Sequence, residues 1–100
     1  MNQQIALGLE FIEEPEDIVG FRGFPGEFKC RVNSDYGDPE VSWFKNDEPL
    51  VEFNRRSFVD ANGTLVFRAL TKTSEGQYQC YVKNRAGIIV SKTAQLSVIG

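Results

Sequence analysis

Histidine is absent from the 100 residues, and that absence removes much of enzyme chemistry. Without an imidazole there is no Ser-His or Cys-His pair to activate a nucleophile, and no His ligand for zinc. Long apolar runs are missing too. None approaches the roughly 20 residues that a membrane span needs, so no direct membrane insertion is expected. No basic stretch leads into an apolar one at the N-terminus, so no signal peptide is read. Met1 and the NQQ after it read as a leader or tag remnant over 1–8, ahead of a single domain at 9–100. Basic charge is scarce: 11 Lys and Arg against 14 Asp and Glu, a formal net charge of -3 and a pI near 4.9. Nucleic acid demands the opposite sign. The glycines of GFRGFPG lack the strand-to-helix setting of a phosphate loop. Asp35 and Asp38 read as a polar turn rather than a Ca²⁺ site. No catalytic residue, metal or cofactor is expected.

Cysteine is nearly absent. Two residues, an even number, are compatible with one disulfide and an oxidising compartment. Acidic charge is unevenly placed: residues 1–20 hold five carboxylates (Glu10, Glu13, Glu14, Glu16, Asp17) and no base. That edge is either solvated or a docking surface for a basic neighbour.

Helical periodicity is also missing, and period-2 alternation stands in its place. Phe28, Cys30 and Val32 alternate with Glu27, Lys29 and Arg31, and Val41 and Trp43 flank Ser42. Leu65 and Phe67 alternate with Val66 and Arg68. Tyr78, Cys80 and Val82 alternate with Gln79, Tyr81 and Lys83, while Ala94, Leu96 and Val98 close the chain. Each strand thus turns one apolar face to a shared core. DANGT (60–64) predicts a hairpin with Asn62 and Gly63 at positive φ, and KNDEP (45–49) and NRAG (84–87) predict turns, with Gly87 left-handed.

The segments FKC (28–30), VSWFKNDEPL (41–50), GTLVFRAL (63–70), GQYQC (76–80) and NRAGIIVSKTAQLSV (84–98) carry a Cys…Trp…Cys order with Tyr two before the second Cys. Over 9–99 this resembles the immunoglobulin superfamily, in particular its intermediate set. The resemblance implies an all-β, immunoglobulin-like Greek-key β-sandwich of the I-set with one inter-sheet disulfide, Cys30–Cys80. It implies that Trp43 packs on that bridge, that Leu65 lies in the core, and that Tyr78 makes a tyrosine corner with Gly76 as the bend before it. Two buried free thiols, as in intracellular members of the set, are the alternative.

Two positions depart from the family pattern. Ser74 stands where Asp usually pairs with an Arg, leaving Arg55 or Arg56 without that partner and Glu75 as a substitute. Gly26 stands where an apolar residue is usual, and Phe24 is expected to fill the space.

Two surface features suggest function. Asn62-Gly63-Thr64 is an N-glycosylation acceptor on a hairpin tip. Strand parity places Phe44, Tyr81 and Ile89 outward with Gln79 and Lys83 around them, a candidate protein-binding patch. LEFIEEPEDIV (9–19) with RG (22–23), SDYGDPEVSWFKND (34–47) and IIVSKTAQLSVIG (88–100) are similar to the first immunoglobulin domain of neogenin/DCC-type netrin receptors. That similarity implies a non-catalytic, extracellular module of a single-pass cell-surface receptor or adhesion molecule, acting in axon guidance or adhesion signalling. Its implied partners are a protein ligand or cell-surface protein and neighbouring immunoglobulin or fibronectin-type domains of a longer chain. The runner-up is a structural I-set module of a giant intracellular muscle protein.

Overall fold

Alternation of apolar and polar side chains resolves into strands in a computed structural model that describes residues 8–50 and 56–100. The leader expected at 1–8 lies outside the described residues except for Gly8, as does Arg55. In chain order the strands are β1 (Leu9–Glu13), β2 (Ile18–Phe21), β3 (Gly26–Phe28), β4 (Arg31–Ser34), β5 (Glu40–Lys45) and β6 (Glu48–Pro49). They continue with β7 (Ser57–Val59), β8 (Leu65–Phe67), β9 (Gly76–Asn84), β10 (Gly87–Val90) and β11 (Ala94–Ile99), and one 3₁₀ turn at Lys72–Ser74 precedes β9.

Two layers form. One holds β1 on β4 and β3-β8-β7; the other runs β2-β11-β9-β5-β6 with β10 also on β9. All pairs are antiparallel except β2 with β11. The fold is an all-β immunoglobulin-like sandwich.

Between the layers sit Phe28, Trp43, Leu65, Phe67, Tyr78, Val82 and Leu96, all buried. The Phe28 ring lies 5.0 Å from Tyr78 and 6.1 Å from both Trp43 and Phe67, centroid to centroid. Such aromatic clusters add to the value of the buried area alone. Beside them Cys30 and Cys80 form the disulfide that ties the sheets together. The two polar side-chain atoms of this cluster have partners. Trp43 Nε1 donates to the Gly63 carbonyl at 2.9 Å, and the Tyr78 hydroxyl donates to the Ser74 carbonyl at 2.6 Å. Tyr78 is therefore the corner residue that its spacing implied.

Three local expectations need correction. In the β7–β8 turn only Gly63 has positive φ (86°); Asn62 does not. The Asp60 carboxylate shapes that turn, accepting the N–H groups of Asn62 (2.8 Å) and Thr64 (3.0 Å). Gly87 has φ 159°, nearly extended, because the Asn84 side chain accepts the Ala86 and Gly87 N–H groups and closes the turn itself. Gly76 opens β9 at a positive φ of 158°, and a Cβ there would also meet Lys45 Cε at 3.0 Å and Asn46 Oδ1 at 3.1 Å. Phe24 does not fill the room above Gly26, since it is 64% exposed; Leu70 does, with Cδ1 3.2 Å from where a Gly26 Cβ would stand. Leu70 comes closer still to Gly20, whose Cβ would meet it at 2.3 Å. The two glycines are the slot for one leucine.

The position opposite Ser74 has also been reworked. Glu75 turns to the second sheet, where its carboxylate accepts the Val98 N–H at 2.8 Å and lies 3.9 Å from Lys72 Nζ. Lys45 reaches the corner from β5, donating to the Thr73 carbonyl and lying 5.9 Å from the Tyr78 ring.

Leu70→Ala is expected to cost about 3 kcal/mol, because its slot is rigid backbone that cannot collapse, whereas Phe24→Ala changes stability by less than ~0.5 kcal/mol. Urea titrations of the two variants check both. A second expectation concerns pH. Burial pushes the Tyr78 phenol well above its ordinary range. In the unfolded chain it ionises near pH 10, so stability is full below about pH 10 and falls as pH rises past it. Tyr78→Phe removes that part of the alkaline slope while costing about 1 kcal/mol at neutral pH through the lost hydrogen bond. Unfolding curves at about pH 8 and about pH 11 separate the two effects.

Candidate functional site

β9 is the axis of the outer face of the second sheet. Because Tyr78, Cys80 and Val82 are anchored inward, Gln79, Tyr81 and Lys83 face out. Register then fixes the rows. Glu40, Lys83 and Ile88 share one; Ser42, Tyr81 and Val90 share the next; Phe44 lies opposite Gln79 on one side and Pro49 on the other. Phe44 and Tyr81 meet diagonally in a stacked pair, centroids 4.0 Å apart at 30°. Around the pair stand Val90 and Ile88, 42% and 52% exposed. Gln79 lies at the margin, its amide donating to the Ser91 carbonyl at 3.0 Å.

Phe44 and Tyr81 are thus brought together, but Ile89 is not part of the patch. It pairs with Val82, points into the core and is only 7% exposed. The reason lies in the turn. Asn84 caps Ala86 and Gly87 and pairs with Gly87, leaving Arg85 and Ala86 as a two-residue loop. A hairpin of that length sets which side each residue takes, and it turns Ile88 and Val90 outward. Reading Asn84 as the capping residue rather than Gly87 as the left-handed one would have found them.

A second exposed set went unnoticed in the sequence. Val19, Phe21, Phe24 and Ile99 are each more than half exposed. Phe21 lies beside Ile99 across the parallel β2–β11 pair and 6.3 Å from Phe24 in an edge-to-face contact. IVGF carries no apolar–polar alternation, since Ile18 and Val19 are both apolar, and only pairing with β11 sets which face of β2 is exposed. Asn62 is exposed on the β7–β8 turn, clear of this set.

The acidic leading edge is largely consumed by the fold. Between β1 and β2 the chain leaves one sheet for the other, so residues 14–17 have no ladder partner. Their side chains take over. Glu14 accepts the Lys92 N–H and Asp17 the Gln95 N–H, both at 2.8 Å, while Glu16 pairs with Lys92 Nζ at 2.7 Å and so raises the lysine's pKa. Backbone donors of the facing strand are satisfied by carboxylates. A basic neighbour is not needed to explain them.

The model of the immunoglobulin I-set domain matches residues 9–98. The chain belongs to the immunoglobulin I-set family. Similar curated proteins agree: human protogenin is 33% identical over 95 residues, covering 90% of this chain and 8% of that protein. The human netrin receptor DCC is 33% identical over 99 residues, covering 92% and 7%. This I-set domain therefore spans under a tenth of those relatives' length. Among solved structures, the titin M10–obscurin-like 1 immunoglobulin complex superposes with a TM-score of 0.81 at 28% identity, covering 91% of this chain and 93% of that one. The I-set is a family of receptor and adhesion modules as well as titin-like ones, and no catalytic arrangement is needed for either.

The stacked pair makes a measurable prediction. In a double-mutant cycle, Phe44→Ala and Tyr81→Ala should couple by about 0.5–1.5 kcal/mol. Denaturant unfolding of the two single variants and the double variant gives the number.

Proposed function

We propose that this domain is an extracellular protein-binding module of a cell-surface receptor or adhesion molecule, working in guidance or adhesion signalling. The observation that carries it is the contiguous apolar patch of Phe44, Tyr81, Ile88 and Val90 on an uncovered sheet face. Sheet stabilisation accounts for the Phe44–Tyr81 stack, but not for two aliphatic side chains left half in water on the neighbouring strand. Rigid aromatic anchors beside apolar contacts are what protein interfaces use. The Cys30–Cys80 bridge suits an oxidising compartment, and Asn62 is available for glycosylation there. Neighbouring domains of a longer chain are part of this reading. Ile99 belongs to both β11 and the second apolar set, so a domain that followed would meet Phe21 and Phe24 first.

A structural module of a muscle protein is the second reading, favoured by the 28% identity with the titin M10 complex. One preparation separates the two. Protein secreted from animal cells should have no titratable thiol and should gain glycan mass on Asn62. Two free thiols with Asn62 bare would favour the muscle module. For the patch, Ile88→Arg and Val90→Arg should each change stability by no more than ~0.5 kcal/mol, being exposed. Both should abolish capture of whichever protein the wild type binds in a panel of purified receptor ectodomains and secreted ligands. Unchanged binding by both variants would move the site elsewhere.

A further inference from the structure

We propose that the first N-acetylglucosamine of a glycan on Asn62 folds back into a cleft beside β4 and fills the place of the strand that β4 lacks there. This rests on the extracellular reading above. The cleft follows from the strand lengths. β8 pairs with β3 only as far as Phe28 opposite Leu65, because the Asp60 turn then sends the chain back into β7. β4 continues to Ser34 and, among the described residues, is paired on one side alone, with β1. Between β4, the start of β5 and the β7–β8 turn there remains a cleft of about 480 Å³, open to solvent. That volume is within the ~300–1,000 Å³ of small-ligand sites and ample for one sugar.

Its lining has the two kinds of surface a pyranose needs. Pro39, Val41 and Val59 offer apolar contact for the ring's C–H face and the acetyl methyl, and Asp38 offers a charged partner for hydroxyls, while Arg31 lines the cleft with its guanidinium paired to Glu13 of β1 at 3.1 Å. Asn62 itself lies in the wall, so the sugar is tethered where it would bind and loses little further freedom on docking. The tether is also stiff. Asp60 accepts the N–H of Asn62 at 2.8 Å and of Thr64 at 3.0 Å through its carboxylate, and of Gly63 at 3.0 Å through its carbonyl. A root held this way points the glycan in one direction.

The covalent step takes a lipid-pyrophosphate oligosaccharide as donor. Asn62 Nδ2 forms a bond to C1 of the donor sugar, the C1–oxygen bond to the lipid pyrophosphate breaks, and one amide proton is lost. The acceptor signal includes Thr64, which is only 7% exposed in the folded domain, so transfer precedes folding.

The test uses the chain secreted from animal cells that make only high-mannose glycans, trimmed enzymatically to a single N-acetylglucosamine, with Asn62→Gln as the unglycosylated control. Intact mass reads the modification. Nuclear Overhauser contacts from the acetyl methyl to Val41 and Pro39, and several-fold slower amide exchange at Arg31–Asn33 than in the control, are expected. Bare Asn62 would overturn the glycosylation reading and this proposal with it. A glycosylated Asn62 whose sugar shows contacts only to residues 60–64, with exchange at Arg31–Asn33 unchanged, would overturn the cleft alone.

Discussion

Tyr78, Cys80 and Val82 turn their side chains inward from β9, and each is fixed by a different force. The phenol is held by a hydrogen bond to the corner it closes, the thiol by a covalent bond to the other sheet, and the valine by packing. A strand pinned at three alternate positions cannot slip by one residue, since a slip would exchange its faces. β5, β10 and β11 all take their register from it. The outer patch is therefore a consequence of the core: Tyr81 faces out because its neighbours face in, and Phe44 and Val90 are delivered to it by pairing.

The same logic explains what could be read from the sequence. Period-2 alternation is a repeated signal and marks the strands, while the bridge is implied by the family resemblance that Cys30, Trp43, Tyr78 and Cys80 carry at their spacings. Single-residue geometry was harder. Strand parity alone misplaces Ile89, because the Asn84 side chain closes the turn before β10 and the two-residue loop it leaves sets Ile88 and Val90 outward. Phe24 is the large apolar residue next to Gly26 in the sequence, but the space is filled by Leu70, from the loop beyond β8 and 44 positions after Gly26. A contact of that separation leaves no local trace. The carboxylates of residues 14–17 looked like a surface charge run, and only the change of sheet between β1 and β2 makes them hydrogen-bond acceptors for β11 and the segment before it.

What the domain offers a partner is divided between two places. The β5–β9–β10 face is a rigid sheet surface whose aromatic pair is already stacked, so little side-chain freedom remains to be lost on contact. The set around Phe21, Phe24 and Ile99 lies at the end of the sandwich and includes the loop between β2 and β3. Both sets leave apolar side chains exposed. Fold alone would not choose between a receptor module and a titin-like one; the distribution of exposed side chains is what favours a binding role.

The turn at Asp60 also bears on how the molecule ages. An Asn-Gly bond in a loose chain decays when the glycine's backbone nitrogen attacks the asparagine side-chain carbonyl, giving a cyclic imide and then isoaspartate. Here the nitrogen of Gly63 is committed to the Asp60 carbonyl, and Gly63 is buried against the Cys30 carbonyl and Val41. The nucleophile is occupied by that hydrogen bond. A sequence that looks chemically short-lived is thereby given the shelf life of its fold, and isoaspartate at position 62 becomes a record of time spent unfolded.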